Sequence, residues 1–238
     1  MVVSLFVNPR QFAPTEDLAS YPRDAERDAT LAEREGVDLL FAPAVEEVYP
    51  PGFDTTVAVG GLTSSLEGAH RGAAHFHGVT TVVTKLFNMV APDVAYFGQK
   101  DAQQAVVVRR LVRDLDIPVE IVVAPTVREP DGLALSSRNA YLDPADRERA
   151  IALHRGLEAA RAAVAAGEHD STNVLASARA AMEPFAVEPE YLALVDPETL
   201  EPLPRVDREA LVAVAARVGP ARLIDNVLIS PNGRHHTP

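Results

Sequence analysis

The sequence contains no cysteine, which excludes disulfides and thiolate metal sites and fits a reducing, cytosolic setting. Basic residues are also scarce beside acidic ones, 22 Lys and Arg against 34 Asp and Glu, for a net charge of −12. That balance argues against nucleic acid or an acidic membrane surface as the main partner, while leaving room for a local basic pocket around a nucleotide. No uninterrupted apolar run reaches membrane-spanning length. The apolar opening Met1–Val7 is short and has no basic leader, so it does not read as a signal peptide. A soluble cytoplasmic protein is the resulting expectation. What the chain does have is 238 residues, 47% of them hydrophobic, enough for a substantial core in one or two domains.

The most informative stretch is Val94–Gln104, which reads as strand, tight turn and helix. Val94 to Phe97 is a short apolar run with β-branched and aromatic members. Gly98 is expected to let the backbone bend, and Asp101 to cap a helix from Ala102 to about Leu115. Backbone N–H groups at a helix start, with Lys100 beside them, suit a phosphate. A second stretch, Gly132-Leu-Ala-Leu-Ser-Ser-Arg-Asn139, offers two hydroxyls and the planar donor fork of Arg138. Singly, each pattern also describes an ordinary solvated loop. Together, separated by one further strand, they point to a nucleotide.

Elsewhere the chain alternates. Val2–Val7 reads as a strand buried on both faces of a parallel sheet. The loop Asn8–Phe12 follows at its carboxyl end, where open α/β sheets place ligands. Gln11 there could hydrogen-bond a small polar substrate, or be a solvated loop residue. A charged helix from Ala25 to Glu35 is closed by Gly36, and Val37–Ala42 and Thr55–Val59 are expected strands. His70, His75 and His77 invite a metal reading, but their spacing matches no metal-ligand pair and no thiol assists. Helix initiation and loop packing are the expectation, with an amphipathic helix over residues 78–90. Pro118–Ala124 is a further buried strand.

Beyond Pro125 the pattern changes. Asp143-Pro144 opens a long helix with Leu153, Leu157, Ala160 and Val164 on its apolar face, ending at Gly167. A second helix runs from Ser171 to about Met182, and strands are expected at Pro189–Val195, Ala210–Val218 and Ala221–Leu228. Helices followed by strands indicate a small α+β domain. The predicted division is therefore residues 1–125 and 126–238, with Arg234–Pro238 a disordered polar tail.

Several motifs in order carry a family resemblance: Phe6-Val-Asn-Pro-Arg-Gln-Phe12, Glu67-Gly68 with His75-Phe76-x-Gly78, Phe97-Gly-Gln-Lys-Asp-Ala-Gln-Gln104, Thr126-Val-Arg-Glu129 and Asp131-Gly-Leu-Ala-Leu-Ser-Ser-Arg-Asn-x-Tyr-Leu142. From Val2 to beyond Ala210 the chain closely resembles pantothenate synthetases. The resemblance implies an α/β fold with a Rossmann-like nucleotidyltransferase parallel sheet, here N-terminally truncated, and a smaller α+β C-terminal domain that covers the site. It implies condensation of pantoate with β-alanine through pantoyl adenylate, with ATP as substrate, Mg2+ on its phosphates, and a homodimer. By motif position Gln11 and Gln104 would hold pantoate, and Gln11 would also stand near β-alanine. Gly98, Gln99, Lys100 and Asp101 would line the nucleotide, and the Val127 backbone would contact adenine. Leu135, Ser136, Ser137 and Arg138 would clamp the phosphates.

The family pattern also includes a strand and a Met-Gly-x-Leu-His-x-Gly-His turn ahead of the Phe-Val-Asn-Pro strand. Its histidines bind ATP phosphates, and one is the proton donor. The sequence carries neither the strand nor the turn, and His75-Phe-His-Gly78 is only an echo of it. The expectation is a start at an internal methionine, or at a valine read as one, of a longer natural chain, and low or no activity for the chain as written. Two other readings remain at this stage: a non-catalytic nucleotide-binding remnant, and a nucleotidyltransferase acting on another acid.

Overall fold

In the computed structural model, residues 1–14 and 16–231 are described. The chain forms two compact units, one of Met1–Ala95 with Val107–Glu120, the other of Tyr96–Val106 with the chain from Ile121 onward. This grouping places Tyr96–Val106 with the later part of the chain, whereas a division at residue 125 places it with the earlier part. The tail Arg234–Pro238 lies outside the described residues.

In the first unit, β1 (Val2–Ser4) pairs in parallel with β2 (Leu39–Phe41), Val3 opposite Leu40. Helix α1 (Ala25–Arg34) lies between them in sequence; the Asp24 side chain caps it by accepting from the Arg27 N–H at 3.0 Å, and Gly36 follows at φ +74°. The reading of Val2–Val7 as a strand buried on both faces is corrected. All three residues of β1 are exposed, and among the described residues its only strand neighbour is β2. An apolar run reports what a strand is able to bury, not what covers it.

A short helix α2 (Val45–Val48) precedes the segment expected as a strand at Thr55–Val59, which is not one. Its backbone is satisfied by helix side chains: Val57 N–H donates to the Thr81 hydroxyl at 3.0 Å, and the Thr80 hydroxyl donates to the Val57 carbonyl. Two threonine hydroxyls replace a ladder partner. Those threonines sit on α4 (Ala73–Val90), which begins five residues earlier than the apolar spacing suggested and follows the short α3 (Glu67–Arg71). Gly72, at φ +81°, makes the break between α3 and α4.

Strand β3 (Val94–Gly98) pairs with β4 (Glu120–Ala124), and α5 (Ala102–Asp114) connects them. Val107, Val108 and Leu111 on α5 are fully buried, as an amphipathic crossover helix requires.

The second unit is built on an antiparallel sheet in the order β5 (Pro189–Val195), β6 (Ala210–Val218), β7 (Ala221–Ile229). The expected long helix is two, α6 (Pro144–Ala150) and α7 (Ala152–Ala165), joined at Ile151. Asp143 caps the first by accepting from Asp146 N–H at 2.8 Å. Leu153, Leu157, Ala160 and Val164 are buried against α8 (Ser171–Met182) and one face of the sheet, as their spacing predicts. Strand β6 is buried on both faces except at Arg217.

Candidate active site

Strand β7 is the base of the site. Its centre carries two polar residues in an otherwise apolar run, Asp225 and Asn226, each 4% exposed. Successive strand residues point to opposite faces. Asp225 stands opposite Val214, whose face packs on the helices, and Asn226 stands opposite Ala213. On its face, Asn226 holds the turn that follows β3. Its amide nitrogen donates to the Gln99 carbonyl at 2.8 Å and the Lys100 carbonyl at 2.9 Å, and its oxygen accepts from Gln99 Nε2 at 3.0 Å.

That turn departs from the expected cap. Gln99–Asp101 is a 3-10 turn running straight into α5, so Asp101 lies inside it and is not the helix N-cap. Gly98 is ordinary extended backbone, φ −79° and ψ 135°, so the bend is made by the turn and not by a glycine-only conformation. A Cβ at Gly98 would meet nothing within 4 Å. The Lys100 ammonium lies 3.4 Å from the half-exposed Asp101 carboxylate.

On the other face, Asp225 receives both terminal nitrogens of Arg128, at 2.6 and 2.9 Å, and Arg128 also donates to the Gly132 carbonyl at 3.0 Å. Arg128 belongs to a narrow hairpin. Leu135 N–H donates to Val127 O at 2.9 Å, Glu129 N–H to Leu133 O, and Gly132 N–H to Glu129 O. Gly132 adopts φ +102°, and a Cβ there would overlap the His154 ring. Burial, and then the Arg128 charge, hold the His154 imidazole below its usual pKa.

Arg147 braces the hairpin from α6, donating to Glu129 at 2.6 Å and to Asp131 at 2.8 Å. Its hydrogen bond holds Asp131 below the usual carboxylate range, and the two acids raise the guanidinium in turn. The stem leaves Val127 65% and Leu135 50% exposed, an apolar pair beside Ser136–Arg138. Directly after it, Ser136 caps the 3-10 turn Ser137–Tyr141 by accepting from Arg138 N–H at 3.3 Å. Both 3-10 turns, the one bearing Lys100 and the one bearing Arg138, lie against β7.

Gln104 is half-buried on the first turn of α5, in the same unit. Gln11 belongs to the first unit, at the end of the 3-10 turn Pro9–Gln11. Asn8 caps that turn, accepting from Arg10 N–H at 3.2 Å, and donates to the Gly78 carbonyl at 3.0 Å. The Gln11 carbonyl meets His75 Nδ1 at 2.9 Å and Arg71 at 3.2 Å, and Arg71 forks onto Glu16 at 2.8 and 2.9 Å. Burial opposes the charge on Glu16, yet Arg71 holds its carboxyl below the usual range. His75 is thus a buried residue inside α4, and among the described residues no group of three His, Asp or Glu could hold a metal ion.

Sequence reasoning missed Arg71, Arg128, Arg147, Asp225 and Asn226, which hold the loops in place. The last two had a legible signal, since Asp-Asn interrupts the apolar run Leu223-Ile224 and Val227-Leu228. Arg71 and Arg147 had none, because their partners lie far away in sequence, and Arg128 stood in the Thr126-Val-Arg-Glu129 motif without a role of its own.

Comparison with known proteins finds relatives along nearly the whole chain. Residues 1–228 match the family model described as Pantoate-beta-alanine ligase. The pantothenate synthetase of Moorella thermoacetica is 54% identical over 98% of this chain and 82% of its own length. The crystal structure of pantothenate synthetase from Thermus thermophilus superposes with a TM-score of 0.92 at 54% identity, covering 95% of this chain and 82% of that one. A Francisella tularensis pantoate-beta-alanine ligase, solved with beta-gamma ATP and beta-alanine, gives a TM-score of 0.77 at 32% identity, covering 97% of this chain and 80% of that one. The fold is the α/β nucleotidyltransferase-like fold of these enzymes, and the chain belongs to the pantoate-β-alanine ligase family.

Proposed function

We propose that the chain condenses pantoate with β-alanine at the expense of ATP, by way of pantoyl adenylate. The observation that carries this reading at the level of residues is the placement of the Lys100 turn and the Arg138 turn against one strand. In the first step the pantoate carboxylate attacks the α-phosphorus and pyrophosphate leaves. Negative charge gathers on the phosphoryl oxygens, and Lys100 and Arg138 stabilise it most in the transition state. Ser136 and Ser137 donate hydroxyl hydrogen bonds to the phosphates. In the second step the β-alanine amine attacks the acyl carbon and AMP leaves. The protein supplies no nucleophile, so much of the rate comes from positioning.

Gly98, Gln99, Lys100 and Asp101 line the nucleotide, the Val127 backbone meets adenine, and Leu135 packs beside the phosphates. The exposed Val127–Leu135 pair supports that assignment, since a purine face buries apolar surface well. Gln11 and Gln104 hold pantoate, with Gln11 also near β-alanine. Magnesium arrives as part of MgATP, held by the phosphate oxygens, where it offsets their charge. Residues 1–125 serve as the nucleotide- and pantoate-binding domain and residues 126–238 as the lid. The enzyme works in the cytoplasm as a homodimer; no helix of the described residues is long and apolar enough to cross a membrane.

Pantoate-dependent exchange of labelled pyrophosphate into ATP, together with calorimetric binding of MgATP, tests the reading. Binding and slow, pantoate-dependent exchange are expected, with exchange falling about a hundredfold or more from that level in Lys100→Ala and Arg138→Ala. Exchange that needs no pantoate, or that survives both substitutions, would overturn it.

A further inference from the structure

The buried pair Asp225-Asn226 touches no reacting group in the mechanism above, yet each polar side chain is fully engaged. Leaving a carboxylate or an amide unpaired at this depth would be costly, so what each one binds is informative. Asn226 spends both donors on the carbonyls of Gln99 and Lys100. Those carbonyls belong to the two peptide planes on either side of the Lys100 Cα. Fixing both planes fixes the direction in which the Lys100 side chain leaves the backbone. The Gln99 side chain returns a hydrogen bond to Asn226 Oδ1 at 3.0 Å, closing the arrangement. One residue earlier and on the opposite face, Asp225 receives the Arg128 fork and so holds the hairpin that leads into Ser136–Arg138.

We propose that Asp225 and Asn226 are positioning residues for adenylate formation. As neighbours on one strand, they fix where the Lys100 turn and the Arg138 hairpin stand. The inference rests on the reading of Lys100 and Arg138 as the phosphate-binding cations, and it assigns roles to residues that touch neither substrate. The spacing of the two cations is then set by the pleat of β7, not by the loops themselves. A merely structural polar pair would affect folding stability alone.

The test is Asn226→Ala, with Asn226→Ser, which keeps one short donor, as the second variant should the first fail to fold. Amide hydrogen exchange and pyrophosphate exchange are measured on the full chain. Exchange in Tyr96–Gln104 is expected to quicken at least about tenfold while β5 and β6 stay protected. The rate constant for pantoate-dependent exchange is expected to fall at least about tenfold with the KM for ATP within about threefold, and Asn226→Ser to recover part of it. Unchanged protection over Tyr96–Gln104, or a rate constant within about twofold of wild type, would overturn the inference. Wild-type protein without pantoate-dependent exchange would instead remove the ligase reading. The amide exchange would then decide alone whether Asn226 holds the turn.

Discussion

Nδ1 of His75 lies 2.9 Å from the carbonyl oxygen of Gln11, while Nε2 of the same ring faces an Arg71 guanidinium nitrogen at 3.2 Å. Arginine cannot accept, so Nε2 accepts and Nδ1–H donates, which fixes the neutral ring and its tautomer. Burial first, and the Arg71 charge second, hold the imidazole below its usual pKa. At 9% exposure the ring has little water to relieve a second proton.

A pH dependence follows with a definite sign. The folded protein binds the His75 proton less readily than the unfolded chain does. Its contribution to stability is therefore full above the unfolded pKa of about 6.5 and is lost as pH falls from there through the folded value. The slope from this group is at most about 1.4 kcal/mol per pH unit. Glu16, held below the usual carboxylate range, loses its contribution only at more acid pH. Urea titrations at pH 7.5, 6.5 and 5.5 should show falling stability, and His75→Gln should flatten that fall. An equal slope in His75→Gln would show that another group is responsible.

Gly78 controls the same turn from the helix side. A Cβ built on it would overlap the Arg10 carbonyl and stand 2.9 Å from the Gln11 nitrogen. Both are backbone atoms, so either the helix or the turn must move. Gly78→Ala should therefore cost about 1–3 kcal/mol in denaturant midpoint, despite the better helix propensity of alanine. Because the displaced turn carries Gln11, the KM for pantoate should rise in the same variant. A stabilised protein with an unchanged KM would contradict the close approach.

Local pattern explains what was legible beforehand. Leu153, Leu157, Ala160 and Val164 announced α7 because burial follows helical periodicity, and β5 to β7 were found almost to the residue between clear turn signals. Lys100, Ser136, Ser137 and Arg138 stand out in the sequence because motif order carries them. Thr55–Val59 was misread because β-branched spacing cannot reveal that helix hydroxyls will serve as its hydrogen-bond partners. Asp101 was misread as a cap because a 3-10 turn and a capped helix start look alike in one dimension. The ion pairs bracing the loops span from 16 residues, for Arg147 to Asp131, to 97, for Arg128 to Asp225, beyond any local pattern.

Arg147 separates loop positioning from stability. Its two partners, Glu129 and Asp131, lie on the hairpin near solvent, where ion pairs contribute about 0–1 kcal/mol. Arg147→Gln should leave the melting temperature nearly unchanged. It should nevertheless loosen Glu129–Gly132, so the KM for ATP is expected to rise about threefold to tenfold. Steady-state kinetics beside a thermal melt would decide; a large loss of stability with an unchanged KM would place Arg147 in the folding core instead.

Arg128→Lys asks whether the charge or the fork holds the hairpin. Asp225 is nearly inaccessible, and Arg128 reaches both its oxygens while also donating to Gly132. A lysine keeps the charge but cannot present two parallel donors, so the two-point grip on Asp225 and the hydrogen bond to the Gly132 carbonyl are lost, while Asp225 Oδ1 keeps the Asn226 N–H. The expected loss is about 2 kcal/mol, within the range for charge-assisted hydrogen bonds and reduced because Arg128 is partly exposed. The Ser136–Arg138 segment should then hold the triphosphate less firmly, raising the KM for ATP while the KM for pantoate stays near its wild-type value. Equal stability of Arg128→Lys and wild type would mean that simple charge pairing suffices at Asp225, and the geometry of the fork would have no role in fixing the hairpin.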